Sequence, residues 1–278
     1  MPLTSNNHVR LYWEEHGQGS PLLLIMGLSF TLEMWHRALP ELSKSYRCIL
    51  FDNRGVGRSD APRGRRYSIQ TMAEDAAAVL DAAGVEEPAF VLGASMGGMI
   101  AQELALRYPY RVRALVLACT ASGFLWRRAW PRLEWVPAIY YWVASKGEAH
   151  ERALRRLLYA ETTPTARIEE DIVIRMRCRP LRRPVLCQLA GILSWNSHRR
   201  LSQINVPTLA IHGDEDHILP PINGRIVAKQ IPNAEFVLIP HAGHMLITDQ
   251  PELSFRVVKQ FLDRVAASPN ACDFNAPV

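Results

Sequence analysis

Four short apolar runs separated by helix-like segments in the first 119 residues constrain this chain more than any other feature. Residues 22–26, 48–51, 89–92 and 114–118 are continuous apolar stretches, each closed by Gly, Asp or a polar turn. A strand exposed on one face alternates apolar and polar residues, so unbroken runs predict strands buried on both faces of a parallel sheet. Between them, residues 31–42, 69–83 and 95–108 carry apolar side chains at three- and four-residue spacing, which predicts helices. Gly84 and Pro109 supply two of the stops. This alternation predicts right-handed crossovers and an α/β fold, with a mostly parallel central sheet and helices on both faces. Residues 9–15 read as an edge strand ahead of it, with a turn at 17–19.

From about residue 120 to 200 the rhythm changes. Helical patterns persist, no strand is evident, and Pro164, Pro180 and Pro184 divide the segment. Five of the seven tryptophans fall here: Trp126, Trp130, Trp135, Trp142 and Trp195. Strand and helix patterns then resume at 208–212, 220–230, 235–239 and 251–267. The expected organisation is an α/β core of residues 1–119 and 201–278, interrupted by a helical lid at 120–200. Residues 268–278 have little periodicity and read as a loose tail.

Composition excludes several classes. With 48% hydrophobic and 21% charged residues, the 278-residue chain matches ordinary globular proteins and not disordered ones. No apolar run approaches the ~18 residues of a membrane span, and the polar N-terminus lacks a signal-peptide core, so a cytoplasmic protein without membrane insertion is expected. Five scattered cysteines with no CxxC pair argue against a disulfide framework or a structural zinc site. The net charge of +5 is concentrated: residues 120–200 hold 15 of the 32 Lys and Arg but only 7 of the 27 Asp and Glu. No nucleic-acid motif accompanies them, so nucleic acid is not an expected partner. Arg175, Arg177, Arg179, Arg182 and Arg183 read as a solvated helical surface, or more sharply as a lure for an anionic substrate or an acidic partner. The oligomeric state is left open.

Gly93-Ala94-Ser95-Met96-Gly97-Gly98 follows the third run and opens the next helix. G-x-S-x-G between a buried strand and a helix turns the chain so sharply that the serine stands clear at the strand's carboxyl end. A phosphate loop is the rival, but no Lys-Ser/Thr pair follows and G-x-G-x-x-G is absent. A serine nucleophile needs a base and an orienting acid. His241 and His244 are the candidate bases after the 235–239 strand, and Asp214 and Asp216 the candidate acids after the 208–212 strand. A metal reading of His241-x-x-His244 is disfavoured by Pro240 and Gly243.

Taken together, these motifs resemble the α/β-hydrolase superfamily over nearly the whole chain. Beyond the elbow, the resemblance rests on Leu24-Ile25-Met26-Gly27-Leu28, on the Asp52 to Ser59 run (DNRGVGRS), on His212-Gly213-Asp214-Glu215-Asp216, and on Gly243-His244. It implies Ser95 as nucleophile, Asp216 as acid and His244 as base, with Asp214 capping a turn. The implied oxyanion donors are the backbone amides of Leu28 and Met96, although Met26 stands where the family often has His. The 52–59 run is implied to be structural, with Arg54 tying loops together. Gly27, Met245 and the lid residues Trp126, Trp130 and Trp142 are candidate pocket residues, with no cofactor and no metal required. The compact serine esterases, enol-lactonases and cofactor-free haloperoxidase-like enzymes are the most similar branch. The implied reaction is hydrolysis of a small, largely apolar carboxylic ester or lactone. Carbon–carbon hydrolases (which often carry Trp where this chain has Met245), perhydrolases and non-catalytic ligand-binding members are the alternatives.

Overall fold

Leu22, Leu23, Leu24 and Ile25 are all fully buried and divide between two layers. Leu23 and Ile25 join the apolar cluster on one face of the sheet, Leu22 and Leu24 the cluster on the other. Successive strand side chains point to opposite faces, so a run sandwiched between helices must be apolar throughout. The computed structural model describes residues 3–64, 66–123, 148–178 and 181–268.

The strands are β1 (Leu3–Asn6), β2 (Val9–His16), β3 (Ser20–Ile25), β4 (Tyr46–Phe51), β5 (Ala89–Ala94), β6 (Val112–Ala118), β7 (Thr208–Gly213) and β8 (Ala234–Ile239). They form one sheet in the order β1-β2-β4-β3-β5-β6-β7-β8. β2 is antiparallel to β1 and β4, and every other neighbouring pair is parallel. The expected mostly parallel α/β sheet is therefore present.

The helices are α1 (Leu39–Leu42), α2 (Ile69–Ala82), α3 (Met96–Arg107), α4 (Glu148–Leu158), α5 (Thr165–Arg177), α6 (Arg182–Leu193), α7 (Ile222–Gln230), α8 (Leu246–Asp249) and α9 (Pro251–Ala266). On one face, Met72 and Val79 of α2 and Ile100 and Leu104 of α3 cover the sheet; on the other, Phe261 and Leu262 of α9 join Trp35. The Ser68 hydroxyl caps α2 by accepting the Thr71 N–H at 3.1 Å, one of the orphan donors of a helix start. No helix of the described residues is long and apolar enough to cross a membrane.

Three expectations need correction. β2 is not the edge strand, because β1 pairs outside it through a two-residue turn at Asn7 and His8, with φ of 49° and 62°. Positive φ at both turn residues matches the right-handed twist of a hairpin, and Asn favours that region. Residues 31–42 do not form one helix but a 3-10 turn (Leu32–Trp35) and the short α1. Pro40 lies within that stretch; it lacks the N–H a continuous helix needs there and disfavours helical geometry just before itself. Pro184 does not break a helix either, since it sits in the first turn of α6, where a missing N–H costs nothing.

Between β6 and β7 the described residues hold α4, α5, α6 and a 3-10 turn (His198–Gln203), with no strand among them beyond an isolated bridge from Gly123 to Asn196. The parallel register aligns the carboxyl ends of the central strands. Ile25 pairs with Gly93, Ala94 with Ala118, Ala118 with Ile211 and Gly213 with Ile239. The loops that leave these ends meet at one edge of the sheet, which is where open α/β sheets place their sites.

Candidate active site

Ser95 sits directly after β5 with φ 56° and ψ −117°, a conformation rarely adopted by a residue with a Cβ and costing roughly 1–3 kcal/mol. Its surroundings enforce it. A Cβ on Gly93 would lie 2.3 Å from the Gly97 carbonyl oxygen, and one on Gly97 would lie 2.0 Å from that of Ile25. Only glycine at both positions lets β5, β3 and the start of α3 approach this closely. The Ser95 N–H donates to the Ala118 carbonyl at 2.8 Å, and the Thr120 hydroxyl donates to the Ser95 carbonyl at 2.7 Å. The nucleophile candidate is thus fixed by its own backbone, while its side chain stays half-buried.

The candidate acid and base come together across the ends of β7 and β8. His244 Nδ1 lies 2.8 Å from Asp216 Oδ2. A carboxylate only accepts, so Nδ1 carries the proton and Nε2 is left free to accept one. Asp216 is 3% exposed, and its other oxygen accepts the N–H groups of Ile218 at 3.0 Å and Leu219 at 2.9 Å. Burial by itself would push this carboxyl up. The charge and hydrogen bond of His244, together with His212 and the Leu219 amide, outweigh burial and hold it below the ordinary aspartate range. His241 lies on the surface, 3.8 Å from Glu215, and the Asp214 carboxylate accepts the Ala242 N–H. The structure therefore brings Asp216 and His244 together and leaves His241 and Asp214 outside the pair. The Ser95 hydroxyl makes no hydrogen bond to His244 among the described residues. Such bonds often tighten only when substrate is bound.

The amides of Leu28 and Met96 are the candidate oxyanion donors. Met96 is the first residue of α3, so its amide has no partner within the helix. The Leu28 amide donates to no group among the described residues. Gly27 lies against the nucleophile, where a Cβ would stand 3.1 Å from Ser95 Cβ. Met245 is half-buried, and its N–H donates to the Leu158 carbonyl at 2.8 Å. Trp126, Trp130 and Trp142, together with Arg179, Cys272 and residues 269–278 of the expected tail, lie outside the described residues. Trp195 is buried in the core with its indole N–H on Glu103 at 2.9 Å.

The 52–59 run supports these loops from below. Arg54 makes a two-pronged, buried ion pair with Asp75 of α2 at 2.6 Å on each arm. Asn53 donates to the Met26 carbonyl at 2.9 Å, and Asp52 accepts the N–H groups of Leu32 and Arg58.

Four residues to which the sequence pattern gives no role, His212 being quoted only as part of a motif, belong to the site's support. Gln188 of α6 is completely buried; its Oε1 accepts the Ser29 N–H beside Leu28 and its Nε2 donates to the Arg54 carbonyl, both at 3.0 Å. Asp249, at the end of α8, accepts the N–H of Gly243, the residue before His244, at 2.7 Å. Gln188 is a lone polar residue in an apolar stretch, its only trace in the sequence, whereas Asp249 stands among the polar residues Thr248 and Gln250 and leaves none. His212 donates from Nε2 to the Leu219 carbonyl at 2.9 Å and lies 3.5 Å from Asp216, while burial pushes its pKa down. Cys119 lies beside the same carboxylate, with burial holding its thiol well above the usual range. Ligand atoms of Cys119, His212 and Asp216 fall within 4.8 Å of one another. Asp216 and His212 are already engaged by protein donors and acceptors, so this set reads as the polar lining of the acid.

Comparison with known proteins agrees with this architecture. The family profile described as the alpha/beta hydrolase fold matches residues 20–251. The chain is 34% identical over 259 residues to the provisionally named carbamate hydrolase RutD of Azorhizobium caulinodans, covering 91% of this chain and 95% of that one. Among solved structures it superposes on a thermophilic esterase from Thermogutta terrifontis with a TM-score of 0.80 at 26% identity, covering 95% and 97% of the two chains. The enol-lactonase from Burkholderia xenovorans also gives 0.80, at 25% identity and 94% and 100% coverage. With its sheet order, its elbow and these relatives in agreement, the chain belongs to the alpha/beta hydrolase fold family.

Proposed function

We propose that this chain is a serine hydrolase that cleaves a carboxylic ester or lactone of a small, largely apolar molecule through an acyl-enzyme on Ser95. The observation that carries this reading is the 2.8 Å bond between His244 Nδ1 and the buried Asp216, across the sheet edge from the strained Ser95. His244 Nε2 takes the Ser95 hydroxyl proton as Oγ attacks the substrate carbonyl carbon. Asp216 stabilises the imidazolium that forms. The Leu28 and Met96 amides hold the tetrahedral oxyanion; loss of one such donor typically costs about 3 kcal/mol of transition-state stabilisation. His244 returns the proton to the leaving alcohol, and water activated by the same base then frees the acid. The insertion at 120–200 serves as a lid, a reading supported by its contacts with both the Leu28 loop, through Gln188, and the His244 loop, through Leu158.

The esterase and the enol-lactonase among the similar structures favour acyl chemistry. RutD gives a specific reason to add carbamates to the substrates tested. Replacing Ser95 by Ala should lower turnover by orders of magnitude on any substrate used, because triad members act as a unit. It should also abolish labelling by a fluorophosphonate probe. Near-normal esterase activity in that variant would overturn the assignment.

A further inference from the structure

The loop that carries His244 is held from the side of the inserted helices. The Met245 N–H donates to Leu158, and a Cβ on Gly243 would lie 2.9 Å from the same Leu158 carbonyl oxygen. One carboxylate closes this junction. Asp249 Oδ2 accepts the Gly243 N–H at 2.7 Å and the Ala160 N–H at 3.3 Å, while Oδ1 accepts the Thr163 hydroxyl at 2.5 Å. Asp249 is 3% exposed, and among the described residues no cation comes within ion-pair distance of its carboxylate.

We propose that Asp249 is a positioning residue for the base: it binds the Gly243 amide on one side and the Ala160 amide and Thr163 hydroxyl on the other, so that the inserted helices hold His244 in working geometry. This rests on the triad reading above.

The groups around Asp249 make the junction titratable. From α5, Asp171 approaches through Thr248 and Tyr159, whose hydroxyls both bind it, and Arg37 and His36 pair with Asp171 from the core side. Arg167 donates to the backbone carbonyls of Thr248 and Asp249 and lies 3.9 Å from Glu252 of α9. Arg175 acts on Tyr159, and Cys119 faces both Asp249 and Asp216 from the end of β6. Burial pushes the Asp249 carboxyl up to about 6 and Asp171 adds to the push, against the three donors. Above that pH the carboxylate accepts all three hydrogen bonds. Below it Oδ1 carries a proton and turns from accepting to donating towards the Thr163 hydroxyl, while Oδ2 still accepts from Gly243 and Ala160.

The test is hydrolysis of neutral p-nitrophenyl butyrate by the full chain across pH 5–9, with thermal unfolding of each variant. Asp249→Ala should lower kcat at pH 8 about tenfold or more with little change in KM, since small misplacements of a catalytic group are costly. Asp249→Asn keeps an acceptor towards Gly243 and Ala160 and turns its amide to Thr163, whose hydroxyl can accept. It should recover most of the lost kcat. If Asp249→Ala does not fold, Thr163→Val decides: removing one of the three bonds should lower kcat about two- to fivefold at unchanged KM. Wild-type kcat in a folded Asp249→Ala, an Asp249→Asn no better than it, or, where Asp249→Ala is unfolded, wild-type kcat in Thr163→Val would each overturn the inference. Ser95→Ala separates the two readings. Retained activity there overturns the triad and the role of Asp249 together. Activity lost in Ser95→Ala but unmoved by changes at Asp249 overturns the role of Asp249 alone.

Discussion

The inserted helices meet the sheet edge at two seams built from opposite chemistry. At the Leu28 loop the junction is a neutral amide: Gln188 satisfies one backbone donor at Ser29 and one backbone acceptor at Arg54 and brings no charge into the interior. At the His244 loop it is a pair of buried carboxylates, Asp249 and Asp171, linked through Thr248 and Tyr159. A buried amide keeps its hydrogen-bond pattern at any pH, whereas a buried carboxylate accepts on both oxygens only while it is ionised, and one of them must donate once protonated. The seam beside the proposed oxyanion donors is therefore indifferent to pH, and the seam beside the proposed base reverses one bond as its carboxylate takes up a proton.

The largest effect sets the scale for both seams. Asp216→Asn should lower kcat by about 10⁴, because an amide in that place stabilises the wrong imidazole tautomer. It is measured on the same ester, and a loss of only a few-fold would mean that His244 is oriented chiefly by its loop. Gln188→Ala comes next. It strands the Ser29 N–H and the Arg54 carbonyl in the interior, a loss of about 1–3 kcal/mol for each unpaired group, and it lets the Leu28 loop shift. We expect kcat to fall about 10- to 100-fold through weakened oxyanion binding, by the same factor at every pH from 6 to 9. A loss that grows towards acid pH would erase the contrast between the seams.

The smallest effect is on stability. Folding moves the Asp249 carboxyl from 3.8 up to about 6. A raised folded-state pKa contributes stability that is fully present below 3.8 and is lost as pH rises through about 6. Asp249→Asn should therefore raise the unfolding midpoint relative to wild type at pH 8 and much less at pH 4. The difference should be at most on the order of 3 kcal/mol. Calorimetry at the two pH values reads it directly, and an equal change at both would show that the charge is not what burial opposes there.

What was legible in the sequence depended on how far apart the partners lie. The elbow is local: Gly93 and Gly97 flank Ser95, and the pattern itself records the crowding that the structure displays. Asp214 or Asp216, and His241 or His244, are choices between neighbours that spacing does not decide. The pairing of Gly213 with Ile239 turns Asp216 towards His244 and Asp214 towards the Ala242 amide. Gln188 is invisible because both its partners are remote, and Asp249 because its bond to nearby Gly243 acquires meaning only with the distant Ala160 and Thr163. Ser29 lies 159 positions from Gln188, and Ala160 lies 89 from Asp249. The broken helix at 31–42 is a different case, since Pro40 was in plain view and the apolar spacing concealed its effect.

The bond from the Met245 amide to the Leu158 carbonyl joins main chain to main chain. No side chain takes part, so lineages can exchange almost every residue of the inserted helices without breaking it, provided the path of the backbone survives. Segments grafted between relatives to change which substrate is accepted should therefore be cut outside residues 158–163 and 243–249. A splice that respects these joints inherits a seated histidine, and one that ignores them must evolve that seating again.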